Sequence, residues 1–369
     1  MNELSQRVLE TISEYQRAGA EYGIQVCAYH RGQVIVDVAS GTRNLSGDVL
    51  DANTLVFGWS MTKGVTALAM HILAERGVIA YDDFVGRYWP EFAHGDKKYI
   101  SIRQFLAHTS GMSEMPLVDD HEICDWDGMC TRFAAMTPTT HPGEIPAYHA
   151  ISYGWLLGEV LRRADGRTLT QFVQDEICTP LGITNLHIGL PADRLNDCAD
   201  LHYDGLPHPL RMKHVGSELM MRRPDMFANL PHVRTACMPG INMLTNARSL
   251  AAVYASLVGT GVHGVRLLPE RRVDMVRSVQ RLTFDGTTGF RMAMGLGYQL
   301  PDSVDDSAMS KRRGIFGHGG WGGSIAFADP EHEFAFALTK TNMNHNVDLL
   351  PINMVVAKAI RAHLGIPEE

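Results

Sequence analysis

The sequence predicts an α+β protein in which one antiparallel sheet is built from both ends of the chain. A helical pattern opens the chain and is followed by two β-rich runs around a short turn. Two further β-rich runs around a turn come near the other end, and a last helical pattern follows them. These two ends fit most simply into one sheet that both terminal helices cover. Helical periodicity dominates between them, which predicts an inserted helical lobe.

The N-terminal hairpin follows an amphipathic helix. IQVCAYH (24–30) and QVIVDVASG (33–41) are β-rich, and Arg31-Gly32 between them supplies a two-residue turn that contains glycine. The helix before them, in MNELSQRVLETISEYQRAG, has one apolar side formed by Leu4, Val8, Leu9, Ile12 and Tyr15.

The C-terminal end repeats this arrangement in reverse. GGSIAFA and EFAFALTK, separated by DPEH, predict a second hairpin within residues 322–340. A last helix is predicted at about 347–364, where apolar residues recur at helical spacing.

The middle of the chain is predicted to be mainly helical. Helices are expected at 101–112, 153–166 and 168–182, punctuated by glycine and proline. Residues 195–236 show no clear period and are interpreted as a loop.

A chain of 369 residues suits either one large domain with an inserted lobe or two domains. We therefore divide it into a sheet part, residues 1–60 and 238–369, and a mainly helical lobe, residues 61–237, within one continuous unit.

Charge and composition exclude several classes of partner. The net charge of −8 and the pI of about 6.1 argue against binding to nucleic acid or to an anionic membrane. The polar N-terminus does not resemble a signal peptide, and no stretch is long enough to cross a bilayer. The six cysteines are scattered, with no C-x-x-C pair. We expect a cytoplasmic, reduced protein with no nucleic-acid or membrane partner; the sequence does not indicate an oligomeric state.

One short segment, GWSMTKGVTALAMHILAERG (58–77), raises a question of chemistry. Ser60 stands three positions before Lys63, on the same face of a helix start. Ser60 as an N-cap, with Lys63 reaching water, is one interpretation. The other makes Ser60 a nucleophile and Lys63 its proton acceptor. The helix's remaining inward positions form one apolar stripe of Val65, Leu68, Ala69, Ile72 and Leu73.

Several other chemistries lack their motifs. The chain has neither a phosphate-binding G-x-x-x-x-G-K-[ST] loop nor a strand-borne G-x-G-x-x-G. It has no H-E-x-x-H, and the cysteines and histidines around residue 121 lack zinc-ligand spacing. The lipase G-x-S-x-G is also missing. We therefore predict neither a cofactor nor a metal ion.

Two further places could carry chemistry. In HPGEIPAYHAISYGWLLG (141–158), Tyr148 precedes a helix, where it is either a packing residue or a functional hydroxyl. In FGHGGWGGS (316–324), glycines surround His318 and Trp321 at the mouth of the last hairpin. This segment is either a glycine-rich turn or a strand edge that a bound molecule can approach closely.

Taken in order, these three places resemble the motifs of the serine β-lactamase and penicillin-binding superfamily. The S-x-x-K motif matches residues 60–63, Y-x-N matches 148–150, and K-T-G matches 318–320. More narrowly, the chain resembles class C β-lactamases and the family VIII carboxylesterases and acyltransferases. The resemblance covers essentially the whole chain, and its flanking segments are LAHTSGM, PLGITN, MPGINMLTNARSLAAVYASL and FADPEHEFAF.

The resemblance implies a role for each motif. Ser60 is the nucleophile, and Lys63 and Tyr148 share one proton beside it, with the phenolate favoured by a neighbouring ammonium. Which of the two accepts the serine proton stays open. The backbone N–H groups of Ser60 and Trp321 would form the oxyanion hole. The expected substrate-binding residues are His318, Gly319, Gly320 and Trp321.

Two departures from the family motifs bear on the substrate. Ala150 replaces the asparagine of Y-x-N, which removes a side-chain amide. His318 replaces the lysine of K-T-G at the mouth of the site, and a histidine is mostly uncharged at neutral pH. The first change removes a contact for amide-bearing substrates, and the second removes a cation that would help to hold a substrate carboxylate, which favours neutral esters.

The sequence therefore predicts a serine hydrolase that cleaves carboxylic esters of small molecules through an acyl-enzyme on Ser60. The alternative is an acyltransferase that passes the acyl group to a small-molecule alcohol. A β-lactamase or D-aminopeptidase comes third. A non-catalytic binding protein is disfavoured, because it has no need of Ser60, Lys63 and Tyr148 together.

Overall fold

The computed structural model describes residues 2–205, 216–301, 308–309, 311–344 and 348–369. Its strands, numbered along the chain, are β1 (Gly23–His30), β2 (Gln33–Gly41), β3 (Val56–Phe57), β4 (Leu186–Ile188), β5 (Met243–Thr245), β6 (Arg281–Phe284), β7 (Arg291–Met294), β8 (Phe316–Gly319), β9 (Ile325–Asp329) and β10 (Phe334–Lys340). Its α-helices are α1 (Glu3–Arg17), α2 (Thr62–Glu75), α3 (Ile102–Leu106), α4 (Trp126–Ala135), α5 (Tyr153–Asp165), α6 (Leu169–Val173), α7 (Thr179–Leu181), α8 (Glu218–Arg222), α9 (Pro224–Asn229), α10 (Pro231–Thr235), α11 (Ala247–Ala255), α12 (Glu270–Val276) and α13 (Ile352–Leu364).

Both ends of the chain build one antiparallel sheet, as predicted. The strand order is β2-β1-β10-β9-β8, so the N-terminal and C-terminal hairpins meet where β1 pairs with β10. Arg31 and Gly32 have φ values of 51° and 73°, which suits the tight two-residue turn between β1 and β2. The predicted α+β class is confirmed.

The two faces of this sheet are covered differently. One face carries alternate residues such as Val26 and Phe336, which pack with Ile12 of α1 and Val356 of α13 in one apolar cluster. The predicted cover of both terminal helices is thus confirmed, although α13 begins at Ile352. On the other face α11 packs against β1, β9 and β10. The sheet is a buried middle layer.

Helix α2 differs from the expected amphipathic helix. Every residue from Thr62 to Ala74 is buried, because α2 lies between α5 and α6 on one side and β8 on another. Its polar residues find partners inside the protein: Thr66 donates to the Pro239 carbonyl, and His71 bonds Tyr81. The predicted apolar stripe is therefore only part of a helix buried all round.

The lobe contains shorter helices than the sequence predicted. The helix expected at 101–112 ends at Leu106, and His108 beyond it has a φ of 56°, outside the helical region. The expected 168–182 helix is divided by a π-helical turn at Gln174–Cys178. The loop predicted at 195–236 was wrong for its described residues after 216, which form α8, α9 and α10; residues 206–215 lie outside the described part. These helices are too short to show a period.

A small sheet of order β3-β5-β4 joins distant parts of the chain. One strand comes from the predicted lobe and two from the predicted sheet part, so the division into two parts stays a prediction. Among the described residues, we find no helix with the length and apolar character needed to span a bilayer.

Candidate active site

Ser60 lies in a 3-10 turn, Trp59–Met61, between β3 and α2. Trp59 has a φ of 44°, which is unusual for a bulky residue and reverses the chain sharply before the serine. The turn is anchored to β5, because the N–H of Gly58 donates to the Met243 carbonyl at 2.7 Å. Trp59 and Met61 are buried, whereas Ser60 is half-buried. The turn thus leaves the Ser60 hydroxyl accessible on a rigid support.

The structure contradicts the capping interpretation of Ser60 and Lys63. Helix α2 is preceded by Met61 and has no side-chain cap, so Ser60 is not its N-cap. Lys63 is completely buried and does not reach water. The capping interpretation is therefore wrong.

The Lys63 amine has three polar neighbours. Its Nζ lies 3.0 Å from the Ser60 Oγ, 2.6 Å from the Ala150 carbonyl oxygen and 2.9 Å from that of Gly240. Burial lowers the pKa of Lys63 well below its ordinary value of 10.5. A neutral amine has two N–H groups for the two carbonyls and one lone pair for the serine proton. The geometry therefore suits Lys63 as a base.

Tyr148 lies on the other side of the same hydroxyl. Its ring is 4.9 Å from the Lys63 Nζ, and its side chain hydrogen-bonds Ser60. Burial raises the pKa of Tyr148 above 10, and the bond to Ser60 offsets this only in part. The expected phenolate is not what this environment favours. Tyr148 is a phenol that can donate a proton beside the Ser60 hydroxyl.

Tyr148 lies in a loop before α5, residues 143–150, which we call the tyrosine loop. The LAHTSGM segment (106–112) holds this loop from one side. The His149 N–H donates to the His108 Nδ1 at 3.0 Å, and the Ala147 N–H donates to the His108 carbonyl at 2.9 Å. The Ser110 hydroxyl lies 2.6 Å from the His149 Nε2. The His108 ring also packs on Tyr148, with centroids 4.9 Å apart. Sequence reasoning found this segment only as flanking text.

A hairpin made by β6 and β7 holds the tyrosine loop from another side. The Tyr148 N–H donates to the Oδ2 of Asp285 at 2.7 Å, and Asp285 is only 3% exposed. Sequence reasoning missed Asp285 and the hairpin. The signal was present, because DGTTG (285–289) is a turn sequence between two β-rich runs.

His318 does not lie at the mouth of the site, where the sequence led us to expect it. Its imidazole is completely buried, and its Nδ1–H donates to the Gly319 carbonyl at 2.7 Å. Burial lowers the pKa of His318 to about 3, so the ring is neutral at physiological pH. We expected an uncharged residue at this position, and a neutral His318 agrees with that expectation. We also expected His318 to face the substrate, and its complete burial does not agree with that.

Gly319, Gly320 and Trp321 form a half-buried rim at the C-terminal end of β8. A Cβ on Gly320 would lie 2.5 Å from the Gly58 carbonyl oxygen, so the rim and the turn before Ser60 touch at a position that only glycine fits. The Trp321 ring lies 5.1 Å from that of Trp59. The rim therefore lies beside the turn that carries Ser60.

Gln299 covers part of the outer edge of β8. Its backbone exchanges two hydrogen bonds with Gly317, at 2.8 and 3.1 Å, and its Oε1 accepts from the Gly319 N–H at 2.9 Å. A peptide that added to this edge as a strand would need those same backbone groups. Sequence reasoning did not single out Gln299.

One group of possible metal ligands occurs in the described part of the chain, away from this site. It consists of Asp329, Glu331 and His332. The Arg312 guanidinium bonds Asp329 at 2.8 Å and Glu331 at 2.5 Å. A cation already neutralises both carboxylates, so this group does not fit a metal ion.

Comparisons with known proteins find a matching family model and similar sequences. The Beta-lactamase family model matches residues 8–360. The chain is 30% identical to Esterase/beta-lactamase LipL of Mycobacterium tuberculosis over 355 residues, which cover 90% of this chain and 79% of that protein. It is 29% identical to Esterase EstB of Burkholderia gladioli over 221 residues, 55% of each chain.

Solved structures with this fold extend the comparison. A family VIII carboxylesterase superimposes with a TM-score of 0.86 at 28% identity, covering 97% of each chain. A penicillin-binding protein homolog from Caulobacter crescentus gives the same TM-score at 27% identity over 98% of each chain. The hydrolase EstCE1, described as having promiscuous acyltransferase activity, shares the fold at 20% identity, with a TM-score of 0.76 over 97% of this chain and 98% of that chain.

Proposed function

The chain belongs to the Beta-lactamase family and is a serine hydrolase of carboxylic esters, and from this premise we propose that Ser60 carries the acyl group. The observation that supports Ser60 is the position of its half-buried hydroxyl between the Lys63 amine and the Tyr148 phenol. A serine hydroxyl needs such a neighbouring base to act as a nucleophile at neutral pH. The substrate class that fits is a small-molecule ester.

Acylation begins when Lys63 accepts the Ser60 proton on its lone pair. The Ser60 Oγ forms a bond to the carbonyl carbon, and the electron pair of the carbonyl moves to its oxygen. The N–H groups of Ser60 and Trp321 would bind this oxyanion. Gly319 and Gly320 would hold the acyl group along the rim, while the buried His318 shapes the rim by fixing the Gly319 carbonyl.

Release of the alcohol needs a proton, because an alkoxide is a poor leaving group. Tyr148 donates its phenolic proton to the leaving oxygen as the ester C–O bond breaks, and the Lys63 ammonium then restores the phenol. Water then attacks the carbonyl carbon of the acyl-enzyme and gives a proton to Lys63. As the bond between the Ser60 Oγ and the acyl carbon breaks, Tyr148 donates its proton to the Oγ and the Lys63 ammonium restores the phenol, so that the carboxylic acid leaves and Ser60 is regenerated.

Three features favour esters over peptides or β-lactams. Ala150 has no side-chain amide, His318 is neutral and buried, and Gln299 already covers Gly317 and Gly319 on the edge of β8. None of these positions offers a cation to a substrate carboxylate. A peptide backbone cannot pair with the edge of β8 at Gly317 and Gly319, because Gln299 already bonds those residues.

Replacement of Tyr148 by phenylalanine tests the acid role. Tyr148→Phe is expected to lower kcat by about 100- to 10,000-fold, the usual contribution of a general acid or base, with little change in Tm. The assay is hydrolysis of p-nitrophenyl acetate and of an ester with a poorer leaving alcohol, and the loss should be larger for the poorer one. Tyr298→Phe is the matched control, since Tyr298 is also buried and its hydroxyl has no hydrogen bond within the described residues. A loss of only a few-fold would contradict the acid role.

Transfer of the acyl group to an alcohol is a second candidate. The half-buried Trp321 ring, which packs on the buried Trp59 beside Ser60, offers an apolar surface that suits an organic acceptor better than water. With an ester substrate and a competing primary alcohol, transfer predicts that the new ester exceeds the free acid at millimolar alcohol. Free acid as the main product at every alcohol concentration would identify a hydrolase.

We also propose that the protein works in a reducing compartment such as the cytoplasm. All six cysteines are unpaired, and four of them are buried. Free thiols persist where glutathione keeps them reduced. Alkylation of lysed cells under denaturing conditions should label all six thiols, whereas disulfide-linked cysteines would escape the label and exclude this compartment.

A further inference from the structure

The geometry points to Asp285 as a positioning residue for Tyr148, supplied by a hairpin that lies 137 residues further along the chain. We propose that the Asp285 carboxylate fixes the backbone of Tyr148 so that the phenol meets the Ser60 hydroxyl. This inference rests on the proposed function, because it gives Asp285 a role only if Tyr148 takes part in proton transfer.

The two oxygens of Asp285 divide their bonds between the hairpin and the tyrosine loop. Oδ1 accepts from the N–H groups of Thr287 and Thr288, at 3.1 and 2.7 Å, and from the Thr288 hydroxyl at 2.9 Å. Oδ2 accepts from the Tyr148 N–H at 2.7 Å. All four partners are donors, so a proton on either oxygen would oppose one of them. These donors favour the carboxylate form of Asp285, whereas burial opposes it and raises the pKa of Asp285 above its ordinary value.

The hairpin contacts the tyrosine loop at two further points. The Gly286 N–H donates to the Pro146 carbonyl at 2.8 Å, and the Arg281 guanidinium donates to the Gly143 carbonyl. Together with the bond from Tyr148 to Asp285, these contacts bind the tyrosine loop at Gly143, Pro146 and Tyr148. The loop is therefore held between the hairpin on one side and His108 on the other.

Asp285 also affects the chemistry of the phenol through its charge. Its negative charge opposes ionisation of Tyr148 and so adds to the rise in the pKa of that phenol that burial causes. The other titratable groups around the ring are buried, with pKa values shifted toward their neutral forms; they are Lys63 of α2, His108, His149, Tyr153 of α5 and His318 of β8. Asp285 is thus the carboxylate that faces Tyr148.

Asp285→Asn removes the charge and one of the two acceptors. Because an asparagine has a single amide oxygen, its NH2 group must face either the Tyr148 N–H or the threonine donors. We expect kcat to fall by about 10- to 100-fold, the cost of misplacing a catalytic group by a fraction of an ångström to about 1 Å. KM should change less. The alkaline limb of the kcat profile should move to lower pH, because the Tyr148 phenol ionises more easily without the nearby charge.

Two other variants distinguish the effect of the position of the Asp285 carboxylate from the effects of its charge and of misfolding. Asp285→Glu keeps the charge but moves the carboxylate, so it should lower kcat without moving the alkaline limb to lower pH. Thr288→Val removes one bond to Oδ1 and leaves the Tyr148 bond, so kcat should stay within about twofold of wild type, as for most substitutions away from the reacting groups. If Asp285→Asn does not fold, as judged by circular dichroism, Asp285→Glu carries the test.

A double-mutant cycle distinguishes a positioning role from a general structural one. If Asp285 acts through Tyr148, adding Asp285→Asn to Tyr148→Phe should cost less than twofold in kcat beyond Tyr148→Phe alone. An equal loss in both backgrounds would overturn the inference, as would a wild-type kcat in Asp285→Asn and Asp285→Glu. If Tyr148→Phe is itself harmless, the proposed role of Tyr148 fails instead, and the two failures are distinguishable.

Discussion

Ser60→Ala is expected to abolish ester turnover, with a loss in kcat on the order of 10⁴-fold or more, as for removal of a catalytic serine elsewhere. The fold should be retained, because Ser60 does not cap α2 and is half-buried. Stability should change by less than about 0.5 kcal/mol, as for other surface substitutions. Burial of the Lys63 amine does not depend on the hydroxyl.

Intact mass gives the sharper measurement for this variant. Wild-type protein quenched with acid during turnover of a p-nitrophenyl ester should gain the mass of one acyl group, and Ser60→Ala should gain none. Ser278→Ala, an exposed serine outside the site, should acylate as the wild type does. Acylated protein in the Ser60→Ala sample would place the nucleophile elsewhere.

Lys63→Met should have the second-largest effect, a loss in kcat of about 10³-fold or more, because the serine loses the base that accepts its proton. Methionine fills a similar volume, so the loss would reflect chemistry and not a cavity. Lys63→Arg should not restore activity, since a guanidinium stays protonated and offers no lone pair. In the wild type, activity should rise with pH as Lys63 loses its proton, at a pH well below 10.5.

Lys97 offers a matched control for Lys63. It is also a completely buried lysine with two carbonyl partners, those of Phe133 and Ala134 at the end of α4, and burial lowers its pKa to about 8. Lys97→Met should change Tm in the same direction as Lys63→Met and leave kcat unchanged. Equal losses of activity in both variants would mean that Lys63 supports the fold and is not the base.

Much of the fold followed from local patterns. The two terminal hairpins carry turn residues between β-rich runs, and the strand order that joins β1 to β10 follows once both hairpins must share one sheet. Helices α8, α9 and α10 were missed because a helix of five or six residues is too short to show a period. Burial of α2 on all sides was missed because its other faces carry polar residues, such as Thr66. The hydrogen-bond partners of these residues lie far away in the sequence.

The candidate site was also predicted only in part, because only some of its residues lie in recognisable motifs. Ser60, Lys63 and Tyr148 carry side chains whose chemistry is visible in two short motifs. Asp285 acts on the backbone of Tyr148 from a distant hairpin, and Gln299 acts on the backbone of Gly319. Backbone contacts leave no motif. The position of His318 differed because a glycine-rich segment indicates close approach of a chain but not which side of the strand a ring occupies.

The three neighbours of Lys63 have a consequence for how the chain acquires reactivity. Ala150 lies 87 residues after the lysine, and Gly240 lies 177 residues after it. Contacts over such separations form slowly, because long loops must close first. Until both segments arrive, the amine is hydrated and holds its proton at neutral pH, so Ser60 has no base. A chain that has not yet brought these segments to the lysine is therefore expected to lack hydrolase activity, even when Ser60, Lys63 and Tyr148 are all present.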